Sequence, residues 1–144
     1  MPMAHAQVDL RAERRAMMLG DAQGVIQRLS NTLFSASLKE QPLQHARVLE
    51  LLGEQYHRLS DIGEAKRNWD EALVLRQRAF GDSSIEAAVG YAHSTRYHNY
   101  MAASQHDHQK LALQVAARAK HLLTTRKGLV EPSESTFLLR EYAY

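Results

Sequence analysis

From Leu49 the chain reads Leu-Glu-Leu-Leu-Gly-Glu-Gln-Tyr, and after a break it continues with Ala65, Trp69 and Ala72. Side chains three or four positions apart are neighbours on an α-helix. Leu49, Leu52, Gly53 and Tyr56 therefore share one face of one helix, and Ala65, Trp69 and Ala72 share one face of the next. Small Gly53, Ala65 and Ala72 allow two backbones to approach, while Tyr56 and Trp69 fill the space beside them. This order of large and small residues suits a helix hairpin that stacks on further hairpins. Composition agrees: three prolines and seven glycines in 144 residues leave room for long helices. No segment alternates strictly between apolar and polar, so strands are not expected. With 44% hydrophobic and 24% charged residues the chain reads as one folded, all-α domain rather than a disordered one.

Turn-forming clusters divide the sequence. Gly20-Asp21-Ala22-Gln23-Gly24, Gln41-Pro42, Ser60-Asp61-Ile62-Gly63, Gly81-Asp82-Ser83-Ser84, His106-Asp107-His108 and Gly128 with Pro132-Ser133 are the breaks. They predict helices at 5–19, 22–39, 43–60, 64–80, 85–104, 109–126 and 134–142. A shift of 42 carries Leu43, Ala46 and Leu49 onto Ile85, Ala88 and Tyr91. A shift of 47 carries Ala65, Trp69, Ala72 and Leu75 onto Ala112, Ala116, Ala119 and Leu122, and a backward shift of 43 carries them onto Ala22, Ile26, Leu29 and Thr32. Three hairpins are expected, about the minimum at which stacked repeats become stable.

The Leu-Gly, Tyr, Ala, Trp and Ala positions resemble the signature of the tetratricopeptide repeat. Phe80-Gly81-Asp82-Ser83-Ser84-Ile85 and Arg76-Gln77-Arg78 look like the longer, 42-residue subtype typified by kinesin light chains. The resemblance implies a right-handed antiparallel helix-hairpin solenoid in a single domain, 1–144. Its hairpins would lie at about 5–39, 43–80 and 85–126, with a capping tail at 128–144 carrying Phe137, Leu138, Leu139 and Tyr142. It also implies a non-catalytic protein-interaction module, an adaptor, assembly factor or regulatory scaffold, that holds a peptide or protein in a concave groove. The groove positions would be Arg47, Glu50, Glu54, His57 and Arg58, then Arg96, Asn99 and Tyr100. Leu49, Leu52, Gly53, Tyr56, Ala65, Trp69 and Ala72 would be the repeat-packing residues. The subtype's paired asparagines are replaced by Glu50 and Leu51, so its peptide preference does not carry over. Glu50 and Glu54 also disfavour a clamp for acidic C-terminal peptides. The compact chaperones of bacterial secretion systems are similar in length and repeat number alone.

Other chemistry finds little footing. With no cysteine, disulfides, thiolate metal sites and cysteine nucleophiles are excluded. No phosphate-binding glycine loop or Gly-x-Ser-x-Gly elbow occurs, so neither catalysis nor a cofactor is expected. His106-Asp107-His108 lacks the spacing that aims two imidazoles at one ion, and no metal is expected. Tyr91, His93, Tyr97, His98 and Tyr100 crowd one helix, with Tyr91 and His98 expected to face its partner. Arg11, Glu13, Arg14 and Arg15 interrupt the N-terminal segment before a signal-peptide core can form. No run approaches the ~18 apolar residues of a membrane span, and a soluble, cytoplasmic chain is expected. Between Gln109 and Val130 there is no acid, while Lys110, Arg118, Lys120, Arg126 and Lys127 are basic. Two alternatives therefore stand beside the interaction module. One is a self-associating structural or chaperone-like protein pairing through solenoid ends or its C-terminal tail. The other is a nucleic-acid-linked regulator using residues 110–127, disfavoured because no aromatics interleave the basic side chains.

Overall fold

The computed structural model describes residues 9–102 together with residues 110, 111, 113, 114, 117, 121 and 134. Within residues 9–102 six helices follow one another: α1 (Leu10–Met18), α2 (Ala22–Thr32), α3 (Ala36–Lys39), α4 (Pro42–Arg58), α5 (Ile62–Phe80) and α6 (Ile85–Ala102). They pack as adjacent pairs, α4 most extensively on α5 and then α5 on α6, and no strand occurs among the described residues. Of the second helix of the expected third hairpin, 109–126, only residues 110, 111, 113, 114, 117 and 121 are described, all helical, and the apolar residues of the expected cap lie outside the described residues.

The turns explain why the helices double back. After α1, the amide of Gly20 donates to the Met17 carbonyl and that of Asp21 to the Ala16 carbonyl, at 3.0 Å each. After α4, the amide of Ser60 donates to His57 at 3.0 Å and that of Asp61 to Tyr56 at 2.8 Å. Both are the paired reverse bonds that close a helix when the next residue turns left-handed, and Gly20 and Ser60 adopt φ of 91° and 63°. In each case the aspartate then caps the following helix: Asp21 accepts from the Gly24 amide and Asp61 from the Glu64 amide, both at 3.2 Å. One connection is thus used twice, 40 residues apart. It aligns Ala65 and Trp69 with Val25 and Leu29, all four buried. The shift of 43 expected for this pair is thereby corrected.

The predicted helix 22–39 is broken into α2 and α3. Ser30, Asn31 and Thr32 carry short polar side chains that compete for backbone partners, and Thr32 Oγ1 bonds back to the Arg28 carbonyl at 2.9 Å. The Phe34 and Ser35 amides then donate to Asn31 and Thr32, tightening the chain into a turn.

α4 lies between two cores. Leu52 and partly buried Tyr56 join Leu10, Met17, Val25, Leu29, Leu38, Val48 and Leu51 in an aliphatic cluster toward α1 and α2. Ala46 and Leu49 turn the other way, toward Ala72 and Leu75 of α5. The shared face expected for Leu49, Leu52, Gly53 and Tyr56 is therefore divided between two neighbours. Gly53 faces α5, where a Cβ would overlap the indole of Trp69. On the far side of α5, a Cβ on Gly90 of α6 would lie 3.1 Å from the Leu73 Cα. Close approach of the helices thus rests on one glycine at each contact.

Candidate functional site

The helical stripe Ala65, Trp69, Ala72 continues one turn further to Arg76, whose side chain is fully buried. A guanidinium taken out of water needs its donors answered, and three residues answer these. Arg76 Nε and Nη2 donate to the two carboxylate oxygens of Glu50 on α4, each at 2.7 Å. Nη1 donates to the Glu86 carbonyl at the start of α6 at 3.1 Å. Nη2 also donates to Glu134 Oε2 at 2.6 Å, and the other oxygen of Glu134 accepts from Arg47 Nη2 at 2.9 Å. Glu134 lies 58 residues beyond Arg76 in the chain and 87 beyond Arg47, and it too is buried. Burial works against the Arg76 charge, but Glu50 and Glu134 outweigh it and hold the guanidinium above its ordinary range. Burial lifts the Glu50 carboxyl above its usual value, with Arg76 opposing and Glu134 and Glu54 reinforcing the rise.

Beside this cluster four rings run from the interior to the surface. His93 of α6, itself buried and 3.9 Å from Glu50, stacks on Trp69 with ring centres 5.6 Å apart. His57 of α4 lies 5.9 Å from the same indole and meets Tyr100 of α6 edge-on at 5.3 Å. The Trp69 Nε1–H is satisfied by the Glu50 carbonyl at 3.2 Å. Two contacts between α4 and α6, Glu50 with His93 and His57 with Tyr100, share a separation of 43 residues. The two helices therefore run parallel across α5. His93 is held well below its ordinary value by burial first, then by Arg76, Arg96 and Arg14. His57 is lowered by burial and Arg96. Both imidazoles are therefore neutral near pH 7 and pack as rings.

The eight expected groove residues are thus divided. His57 and Tyr100 touch; Arg96 acts electrostatically on His57. Arg58, Asn99 and Tyr100 are exposed, and Glu54 and Arg96 are partly so. Arg47 is engaged with Glu134, and Glu50, at 5% exposure, is an interior ion-pair acceptor rather than an open-groove residue. The reason is positional, because Glu50 lies one helical turn from both Ala46 and Gly53 and shares their approach to α5. Tyr91 meets α5, accepting from Gln77 Nε2 at 3.0 Å. His93 does so too, through its stack on Trp69. The sequence reading missed Arg76 as a centre, although its continuation of the Ala65–Trp69–Ala72 stripe was a usable signal. Among the described residues no group of three or more His, Asp or Glu is placed to hold a metal ion. No helix among them is long and apolar enough to cross a membrane. Of the basic segment, Lys110 is exposed, whereas Arg118, Lys120, Arg126 and Lys127 lie outside the described residues, as do His106 and His108. Comparison with protein-family models, curated proteins and solved structures finds no match.

Proposed function

We propose that this chain is a non-catalytic interaction module of tetratricopeptide-like construction, which takes a protein or peptide partner along the side formed by α4 and α6. The observation that carries the reading is the juxtaposition of His57, Arg58, Arg96, Asn99 and Tyr100 at the ends of two parallel helices. Contact between His57 and Tyr100 orders an aromatic edge there, and Tyr100 remains half exposed. Aromatic and arginine side chains held on a rigid support are the groups that anchor partners, because little freedom is lost when they bind. The repeated turn chemistry at Gly20–Asp21 and Ser60–Asp61, and the parallel placement of α4 and α6 across α5, support repeat construction.

Affinity capture with the wild type beside Tyr100→Ala and Arg58→Glu tests the reading. Both residues are exposed, so stability is expected to change by about 0.5 kcal/mol or less. Proteins retained by the wild type and lost from both variants are the expected result. Equal retention by all three would remove the α4–α6 side from consideration.

A further inference from the structure

The contact between Glu134 and the two arginines has the form of a recognition event inside one chain. Arg76 has permanent partners in the helices that build its surroundings: the Glu50 carboxylate grips it through two donors and the Glu86 carbonyl takes a third. Glu134 arrives from a remote part of the sequence and takes a remaining donor. Its two oxygens are divided between two guanidiniums, one bond at 2.9 Å to Arg47 and one at 2.6 Å to Arg76. Such a fork reads a carboxylate and is indifferent to the chain that carries it. The balance of charge is equally specific. Arg47 and Arg76 face Glu50 and Glu134, so losing Glu134 takes a carboxylate away from two enclosed guanidiniums. Arg14 and Arg96 add positive potential at neighbouring His93, and Glu54 adds negative potential at Glu50. An enclosed guanidinium that loses a carboxylate is costly unless another anion takes its place.

We propose that the Arg47–Arg76 pair is an exchangeable carboxylate-binding site for an acidic segment of a protein partner, with Glu134 as the chain's own resident ligand. This rests on the interaction-module reading and names the chemistry of the partner: a glutamate or aspartate side chain on an acidic peptide segment. The tether keeps Glu134 at a high effective concentration, so an outside carboxylate competes at a disadvantage until the resident one is removed.

The probe is a fluorescent synthetic peptide spanning residues 128–144, titrated into the full chain by anisotropy. The Glu134→Gln chain is expected to bind it at least about tenfold more tightly than the wild type does. A peptide with glutamine in place of its Glu134 should lose that binding, as should a chain carrying both Arg47→Gln and Glu134→Gln. If the Glu134→Gln chain melts cooperatively yet binds neither peptide, or binds both equally, the proposal is overturned. Should that variant not fold, the wild type decides: a melting temperature raised by the glutamate peptide and not by the glutamine peptide supports exchange, and no rise refutes it. Failure here, with Tyr100→Ala and Arg58→Glu still abolishing partner capture, would leave the interaction module intact and discard only its acidic ligand.

Discussion

The two sides of α4 are built from different materials. Toward α1 and α2 the core is aliphatic, with Val25, Leu29, Leu38, Val48, Leu51 and Leu52 closing over one another. Toward α5 and α6 it is made of alanines and glycines at the backbone contacts, one indole, a neutral imidazole and the Arg76–Glu50–Glu134–Arg47 ion cluster. An aliphatic core is non-directional and accepts any side chain of about the right volume. An enclosed ion cluster accepts only partners that complete its hydrogen bonds and charge. Stability is spread evenly on the first side. On the second it is concentrated in a few groups, the same ones proposed above to select a partner.

The largest effect should appear where that contrast is sharpest. Arg76→Met keeps much of the volume but strands the Glu50 carboxylate and removes one bond from Glu134, and should cost about 3–5 kcal/mol by chemical denaturation. Leu29→Met, an equally conservative change on the aliphatic side, should cost less than about 1.5 kcal/mol. Comparable losses from the two would erase the distinction. Gly53→Ala comes next. Helix propensity favours the alanine by about 1 kcal/mol, but the new methyl overlaps the Trp69 ring, and a net loss of about 1–3 kcal/mol is expected. The fluorescence of Trp69, the one tryptophan in the chain, should shift with it.

Acid should act on the ion-cluster side. The folded-state value of His93 lies below its ordinary 6.5, so below about pH 6.5 the unfolded chain takes up a proton that the native chain refuses. Stability is therefore complete above that pH and falls as pH drops toward the native value, by up to about 1.4 kcal/mol per unit for this one group. His57 and His45 are lowered too and act in the same direction. His93→Gln should flatten the dependence measured by denaturant melts between pH 7 and 5; an unchanged slope would place its origin elsewhere. Smallest and least discriminating are the caps. Asp21→Ala and Asp61→Ala remove the same bond from equivalent turns and should each cost about 1 kcal/mol. Similar values on both sides of α4 would agree with a shared construction.

These contrasts also explain which parts were legible in the sequence. Patterns that act locally were readable: the Ala65–Ala72 spacing, proline at the start of α4, and turns at Gly20 and Ser60. The close approach at Gly53 followed from size, while the Trp69 ring as its direct neighbour did not. The break at Ser30-Asn31-Thr32 was not foreseen, because three weak backbone competitors together do what one proline does visibly. The repeat offset was misjudged by three residues, since Ile26 and Leu29, one helical turn apart, are both large and apolar and only the turn geometry selects Leu29 as the counterpart of Trp69. Least legible was the site. Glu50 and Arg76 each look like ordinary helix-surface charges, and nothing local announces a pair joined across 26 residues. Glu134 joins them from further away still.

The central claim is that Glu134 and the arginine pair form one coupled unit. Its most direct test is a double-mutant cycle by denaturant unfolding on the wild type, Arg47→Gln, Glu134→Gln and the double variant. A coupling of about 1–3 kcal/mol is predicted for partners sharing an enclosed bond. Strict additivity of the two single losses would contradict the account.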